Sequence, residues 1–180
     1  KYTNKVYFHK WNNHFSEMRN TTIGYAKGEW IFIIDADEEL VSSENIVTFL
    51  KSPMSKKFDV GGLTVKNLTV DSTEFGYVLL LSPRLFRNDG YFRYEGAVHN
   101  MPIYKGNTVD LNTELLHYGY ISTDKALMER KFFRTSAILK EELEKDPKNI
   151  YYHFQLSTSY QMHNDQKEAL NEAVIAYDLL

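Results

Sequence analysis

Apolar positions change their period several times along the chain, and each change marks a change of element. Phe15, Met18, Thr22 and Tyr25 recur at helical spacing, Ser16 stands where it would cap a first turn, and Lys27-Gly28 supplies a stop. The pattern predicts a helix over about 14–27. Ahead of it, Val6-Tyr7-Phe8 reads as a short strand. Trp30 to Ile34 is continuous, aromatic and β-branched, the pattern of a strand covered on both faces in an α/β sheet. Ile46, Phe49 and Leu50 then predict a helix from Ser43 to Lys51. Between Val60 and Asn100 the period becomes that of strands, at Gly61 to Val65, Tyr77 to Phe86 and Tyr91 to Val98. Turns at Asp71-Ser72 and Asn88-Asp89-Gly90 separate them.

After Gly119-Tyr120 the chain returns to helix. Met128, Phe132, Leu139 and Leu143 form a stripe within Thr123 to Lys145, and Pro147 ends it. Tyr151 to Met162 and Asp165 to Leu180 form a second helical pair. Leu156, Tyr160, Ala169, Ala173 and Ala176 sit at the spacings of a tetratricopeptide repeat, with Asn164-Asp165 in the turn. One such repeat is not self-sufficient and needs a further surface to pack on. The expected fold is α/β: a core over residues 1–122 with added antiparallel strands, followed over 123–180 by a helical extension resembling a tetratricopeptide hairpin.

Composition narrows the function classes. Of 180 residues, 43% are apolar and 14% aromatic, which supplies a core and excludes a disordered chain. The formal net charge of −3 offers no broad attraction to nucleic acid. No apolar run approaches the roughly 20 residues that cross a bilayer. With no cysteine and no export-like start, the expected location is cytoplasmic, of bacterial type, with a peripheral position at the membrane left open.

The acidic cluster Asp35, Asp37, Glu38 and Glu39 directly follows the apolar strand, at the carboxyl end where an α/β sheet delivers ligand sites. Two aspartates one residue apart suit a hard divalent cation that bridges to phosphate oxygens. The competing reading is a solvated acidic turn capping the next helix. A haloacid-dehalogenase-like phosphatase also places such a pair after a buried strand, but it wants Thr or Val where this chain has Glu39.

Phe15-Ser16-Glu17-Met18-Arg19-Asn20 and Ala26-Lys27-Gly28-Glu29-Trp30-Ile31-Phe32-Ile33-Ile34-Asp35-Ala36-Asp37-Glu38-Glu39-Leu40 resemble family 2 glycosyltransferases. The resemblance continues in Arg84-Leu85-Phe86-Arg87, Tyr94-Glu95-Gly96-Ala97-Val98-His99 and Leu116-His117-Tyr118-Gly119-Tyr120. The helical tail is typical of one branch of that family. The resemblance implies a partial GT-A core, a nucleotide-sugar donor such as UDP-hexose, a Mn²⁺ or Mg²⁺ ion, and inverting transfer to a glycan, lipid-linked or polypeptide acceptor. The family opens with a βαβ nucleotide-binding segment that this chain does not show, so an N-terminally truncated core is expected.

By the same resemblance Asp37 is the main metal ligand, Asp35 contacts ribose or shares the metal, and His117 completes the metal site. Arg19 contacts the nucleotide. Glu95 is the favoured base, on a strand-like run that would place Glu95, Ala97 and His99 on one face, with His99 on the acceptor or phosphate side. The branch often carries Glu after that histidine, where this chain has Asn100. The structural competitors are a cross-strand glutamate at Glu95, a packing histidine at His117, a surface arginine at Arg19 and a turn residue at His99. The alternative function is a non-catalytic interaction module, with the helical tail binding a protein partner or a second copy.

Overall fold

The structure, a computed structural model, describes residues 4–69, 76–119 and 125–180. The chain forms a mixed α/β protein that divides into two compact units. One comprises Tyr25–Arg93 and Pro102–Met128; the other comprises Lys1–Gly24, Tyr94–Met101 and Glu129–Leu180. The expected turn at Asp71-Ser72, the start of the long helix at Thr123 and the expected boundary between 122 and 123 lie outside the described residues.

The first of these units is built on a five-stranded sheet. Its strands are β1 (Trp30–Phe32), β2 (Glu38–Leu40), β3 (Val60–Leu68), β4 (Tyr77–Arg87) and β7 (Thr108–His117), in the order β1-β4-β3-β7-β2. Two short strands between β4 and β7, β5 (Arg93–Glu95) and β6 (Met101–Ile103), pair in a separate two-stranded sheet. β3 runs antiparallel to β4 and parallel to β7, and β2 runs antiparallel to β7. Helix α2 (Glu44–Lys51), with Ser43 at its N-cap, falls within one residue of its expected range and buries Ile46 and Phe49. These two pack with Leu63, Val65, Leu85, Leu111 and Leu115 into the unit's core. Each such side chain contributes roughly 1.5–3 kcal/mol by leaving water. Gly61 lets strands close up there, since a Cβ would lie 2.5 Å from Leu111 Cδ1.

β1 departs in part from its reading. Ile31 is buried while Trp30 and Phe32 pack on the core, as a continuous apolar run requires. Yet β1 is a three-residue strand at the sheet's edge, and its neighbour β4 is antiparallel. Trp30 is held edge-on to Phe49 at 5.4 Å, with the Arg87 guanidinium 4.2 Å from its ring centre. The acidic cluster runs into strand β2, which holds Glu38 and Glu39, so the carboxylates do not cap a helix.

The other unit is mainly helical. Helix α1 (Phe15–Ile23) is shorter than expected: Gly24 closes it, and the His14 ring, rather than Ser16, accepts from the Glu17 amide at its start. Val6-Tyr7-Phe8 is exposed and forms no strand. Helices α3 (Lys125–Lys145), α4 (Ile150–His163) and α5 (Gln166–Asp178) follow, with α4 capped by Asn149 and α4 and α5 packed on one another. Asn164 takes the left-handed conformation, φ 70°, in the turn between them. Ile138, Leu139 and Leu156 form the core with Ala97 and Val98, and Phe15, Leu143, Tyr152 and Tyr160 pack against it.

Candidate functional site

The sheet's register brings the acidic cluster to the late histidine. In the row that crosses β2, β7 and β3, Glu38 pairs with His117 and His117 pairs with Asn67. The chain leaves β1 at Phe32, turns through Asp35 to Glu38, and enters β2; the Glu38 amide donates to the Asp35 carbonyl at 3.1 Å. Tyr118 N–H donates to the Asp37 carbonyl at 3.0 Å, tying that turn to the end of β7. Asp37 Oδ2 and His117 Nε2 stand 3.5 Å apart as a result.

The neighbouring acids have different partners. Glu38 is buried, with its side chain 1% exposed. It accepts from Arg84 Nη2 at 2.5 Å and from the Asp35 amide at 2.9 Å. Arg84 Nη1 also lies 3.9 Å from Asp35 Oδ2. Glu39 accepts from the Tyr118 hydroxyl at 2.7 Å, and that hydrogen bond, with some loss of hydration and the carboxylate's charge, raises the phenol's pKa. Asp37 is the half-exposed carboxylate that faces the histidine. The sequence marked Glu38 only as part of an acidic run. Its role as a buried clamp has no local signal, because Arg84 reaches it from another strand.

The Asp37–His117 pair offers two donor atoms that could hold a divalent ion. The two donors are a carboxylate oxygen, suited to Mn²⁺ or Mg²⁺, and an imidazole nitrogen, which a transition-metal ion takes more readily than Mg²⁺ does. Gly119 leaves the necessary room: a Cβ built there would lie 2.5 Å from Asp37 Oδ2 and 2.6 Å from His117 Nε2. A side chain there would crowd both donors. Among the described residues no group of three or more His, Asp or Glu side chains gathers to hold a metal alone.

Arg19, Glu95 and His99 belong to the helical unit. Arg19 lies over the Tyr94 ring, 5.0 Å from its centre. Asn20 clamps the backbone of Tyr94, donating to its carbonyl at 2.9 Å and accepting from its amide at 2.8 Å. The face expected to carry Glu95, Ala97 and His99 does not form. β5 ends at Glu95, Gly96 has φ 97° and His99 has φ 49°, so the run bends where a strand would continue. Ala97 is buried while Glu95 is exposed, and the Tyr151 hydroxyl donates to the His99 carbonyl. Burial lowers the His99 pKa, which leaves the ring neutral near pH 7. The neutral ring can donate and accept hydrogen bonds and carries no fixed positive charge.

No protein-family profile matches the chain. Its sequence is nevertheless similar to glycosyltransferases. It is 28% identical to the SPbeta prophage-derived glycosyltransferase SunS of Bacillus subtilis, over 98% of this chain and 46% of that protein. The glycosyltransferase SunS of Bacillus phage SPbeta matches to the same extent. A TPR repeat-containing protein of Synechococcus elongatus is 33% identical over 51% of this chain and 21% of its own length. The chain thus spans about half the length of the glycosyltransferases it matches. No described helix is long and apolar enough to cross a membrane.

Proposed function

We propose that this chain is part of a metal-dependent glycosyltransferase of family 2, with a GT-A core and a tetratricopeptide-like helical hairpin. The observation that carries the reading is the Asp37–His117 pair with the space Gly119 leaves before it. Similarity to the glycosyltransferase SunS over 98% of the chain supports the coarser part of this reading, glycosyl transfer. In this reading Asp37 and His117 hold Mn²⁺ or Mg²⁺, which supplies positive charge to the diphosphate of a donor such as UDP-hexose. Asp35 contacts the ribose or shares the ion, oriented by Arg84.

The remaining roles rest on sequence position. Arg19 contacts the nucleotide, and Glu95 takes the proton of the acceptor hydroxyl as its oxygen attacks the anomeric carbon. The bond from that carbon to the diphosphate oxygen breaks on the opposite side, which inverts the centre. His99, neutral and hydrogen-bonding, positions acceptor or phosphate. The acceptor is a glycan, a lipid-linked sugar or a polypeptide.

The test uses the full-length protein with UDP and Mn²⁺, separately and together. A ligand at 100 times its dissociation constant raises stability by about 2.7 kcal/mol, read as a rise in Tm of several degrees. A rise that needs both ligands and disappears in Asp37→Ala is the expected result. Full stabilisation and donor turnover in Asp37→Ala would remove the metal assignment. The likeness to a TPR repeat-containing protein supports a second reading, an interaction module built on α3 to α5. Partner binding that survives Asp37→Ala in a protein without turnover would favour it.

A further inference from the structure

We infer that Asn67 is a positioning residue that fixes the tautomer of His117, so that Nε2 presents its lone pair toward Asp37 and the ion between them. The inference rests on the metal site proposed above and assigns a residue that lies outside the motifs that carry the family resemblance. Asn67 stands beside His117 in the parallel β3–β7 ladder and beside Val78 in the antiparallel β3–β4 ladder. Sheet pairing on both sides therefore sets where its side chain begins.

Two contacts set the orientation of its amide. Nδ2 donates to the Val78 carbonyl at 3.4 Å, which leaves Oδ1 facing His117 Nδ1 at 2.7 Å. A carboxamide oxygen only accepts, so Nδ1 carries the hydrogen. In the neutral ring the lone pair then belongs to Nε2, the nitrogen 3.5 Å from Asp37 Oδ2. A carboxylate oxygen and an imidazole nitrogen at that distance are bridged either by a proton on Nε2 or, in the reading above, by the ion. A histidine that ligates a metal commonly gives its other N–H to such an acceptor, which holds the ring's angle and raises its basicity. Asn67 has the chemistry and the place for that task.

The experiment reads the tautomer and the metal separately in the full-length protein. Nitrogen-15 NMR of labelled histidine, on metal-free protein at a pH where the ring is neutral, reports which nitrogen bears the hydrogen. The wild type should show His117 protonated at Nδ1, Asn67→Leu should lose that preference, and Asn67→Asp, which keeps an acceptor, should restore it. Mn²⁺ titration followed by electron paramagnetic resonance should show affinity falling roughly 10- to 100-fold in Asn67→Leu and returning in Asn67→Asp. Circular dichroism establishes that each variant is folded, and the near-isosteric Asn67→Asp keeps the question open to measurement if Asn67→Leu is not. A wild-type tautomer in Asn67→Leu overturns the inference. So does undiminished Mn²⁺ affinity in Asn67→Leu when His117→Ala has lost it. If neither Asp37→Ala nor His117→Ala weakens Mn²⁺ binding, the metal reading itself fails and takes this role with it, even where the tautomer behaves as described.

Discussion

Single side chains divide the labour around the acidic turn, and their substitutions should separate cleanly. Gly119→Ala adds a carbon 2.5 Å from Asp37 Oδ2 and 2.6 Å from His117 Nε2. Its backbone is not in the left-handed region, so the fold should persist while Mn²⁺ affinity drops about tenfold or more, equivalent to about 1.4 kcal/mol. Calorimetric titration of the folded variant checks this. Glu38→Ala should do the reverse. It takes the close carboxylate from the Arg84 guanidinium, 14% exposed, and leaves it the more distant Asp35 Oδ2 at 3.9 Å, and Arg84 Nε already has no hydrogen-bond partner among the described residues. Removing one partner of a buried pair costs about 3–5 kcal/mol, to be read from urea unfolding. The acidic run was legible as a candidate because carboxylates after a buried strand are chemically unusual, and His117 only through the family resemblance. Asn67 and the split between Glu38 and Asp37 were not, since both are set by strand register, which no local window contains.

Elements were legible where the periodic signal was long. Helix α2, strands β3 and β4 and the three C-terminal helices fall close to their expected ranges, because Ile46 and Phe49, or Ile138 and Leu139, mark a buried face. Strand β7 was overlooked although its alternation was present: Leu111, Thr113 and Leu115 are buried between exposed Asp110, Asn112 and Glu114. The three-residue strands β2, β5 and β6 are too short to carry a pattern, and Val6 to Phe8 shows that an apolar triplet alone makes no strand. In the helical unit, His163 stacks on Phe132 at 3.7 Å, with Nδ1 2.7 Å from Asp165 and Nε2 3.0 Å from Glu129 on α3. The hydrogen bond to Asp165 leads in raising its pKa above 6.5, opposed by lost hydration and aided by Glu129. The charged ring thus favours the folded state. That contribution is whole below the ordinary histidine value and is lost as pH rises through the higher folded value. Thermal melts across this window should show Tm falling with pH, and His163→Gln should flatten the slope.

At the scale of the whole molecule, the two units interleave along the chain, and the helical tail shares a unit with α1 and residues 94–101. That grouping has no local sequence signature, because it depends on the Phe15 amide donating to the Ala97 carbonyl and on Asn20 gripping Tyr94. β4 pairs with β1 only over Leu85 to Arg87, so Tyr77 to Leu81 form an exposed apolar run beside β3 with no strand on the other side among the described residues. Such an edge favours association. Leu79→Glu, opposite Lys66, combined with Leu81→Glu should reduce concentration-dependent self-association in sedimentation velocity. Stability should stay within about 0.5 kcal/mol per substitution.

The row that joins Glu38, His117 and Asn67 also bears on how the protein matures. Asp37 arrives early in the chain and His117 late, and they meet only after β3, β4 and β7 have found their register. Pairings of such long sequence separation form slowly, since the loop between them must close first. Metal capture would therefore be a late event in refolding. A stopped-flow signal from Mn²⁺ binding should lag behind the recovery of helical circular dichroism, so the same pair of donors would report that the sheet is complete.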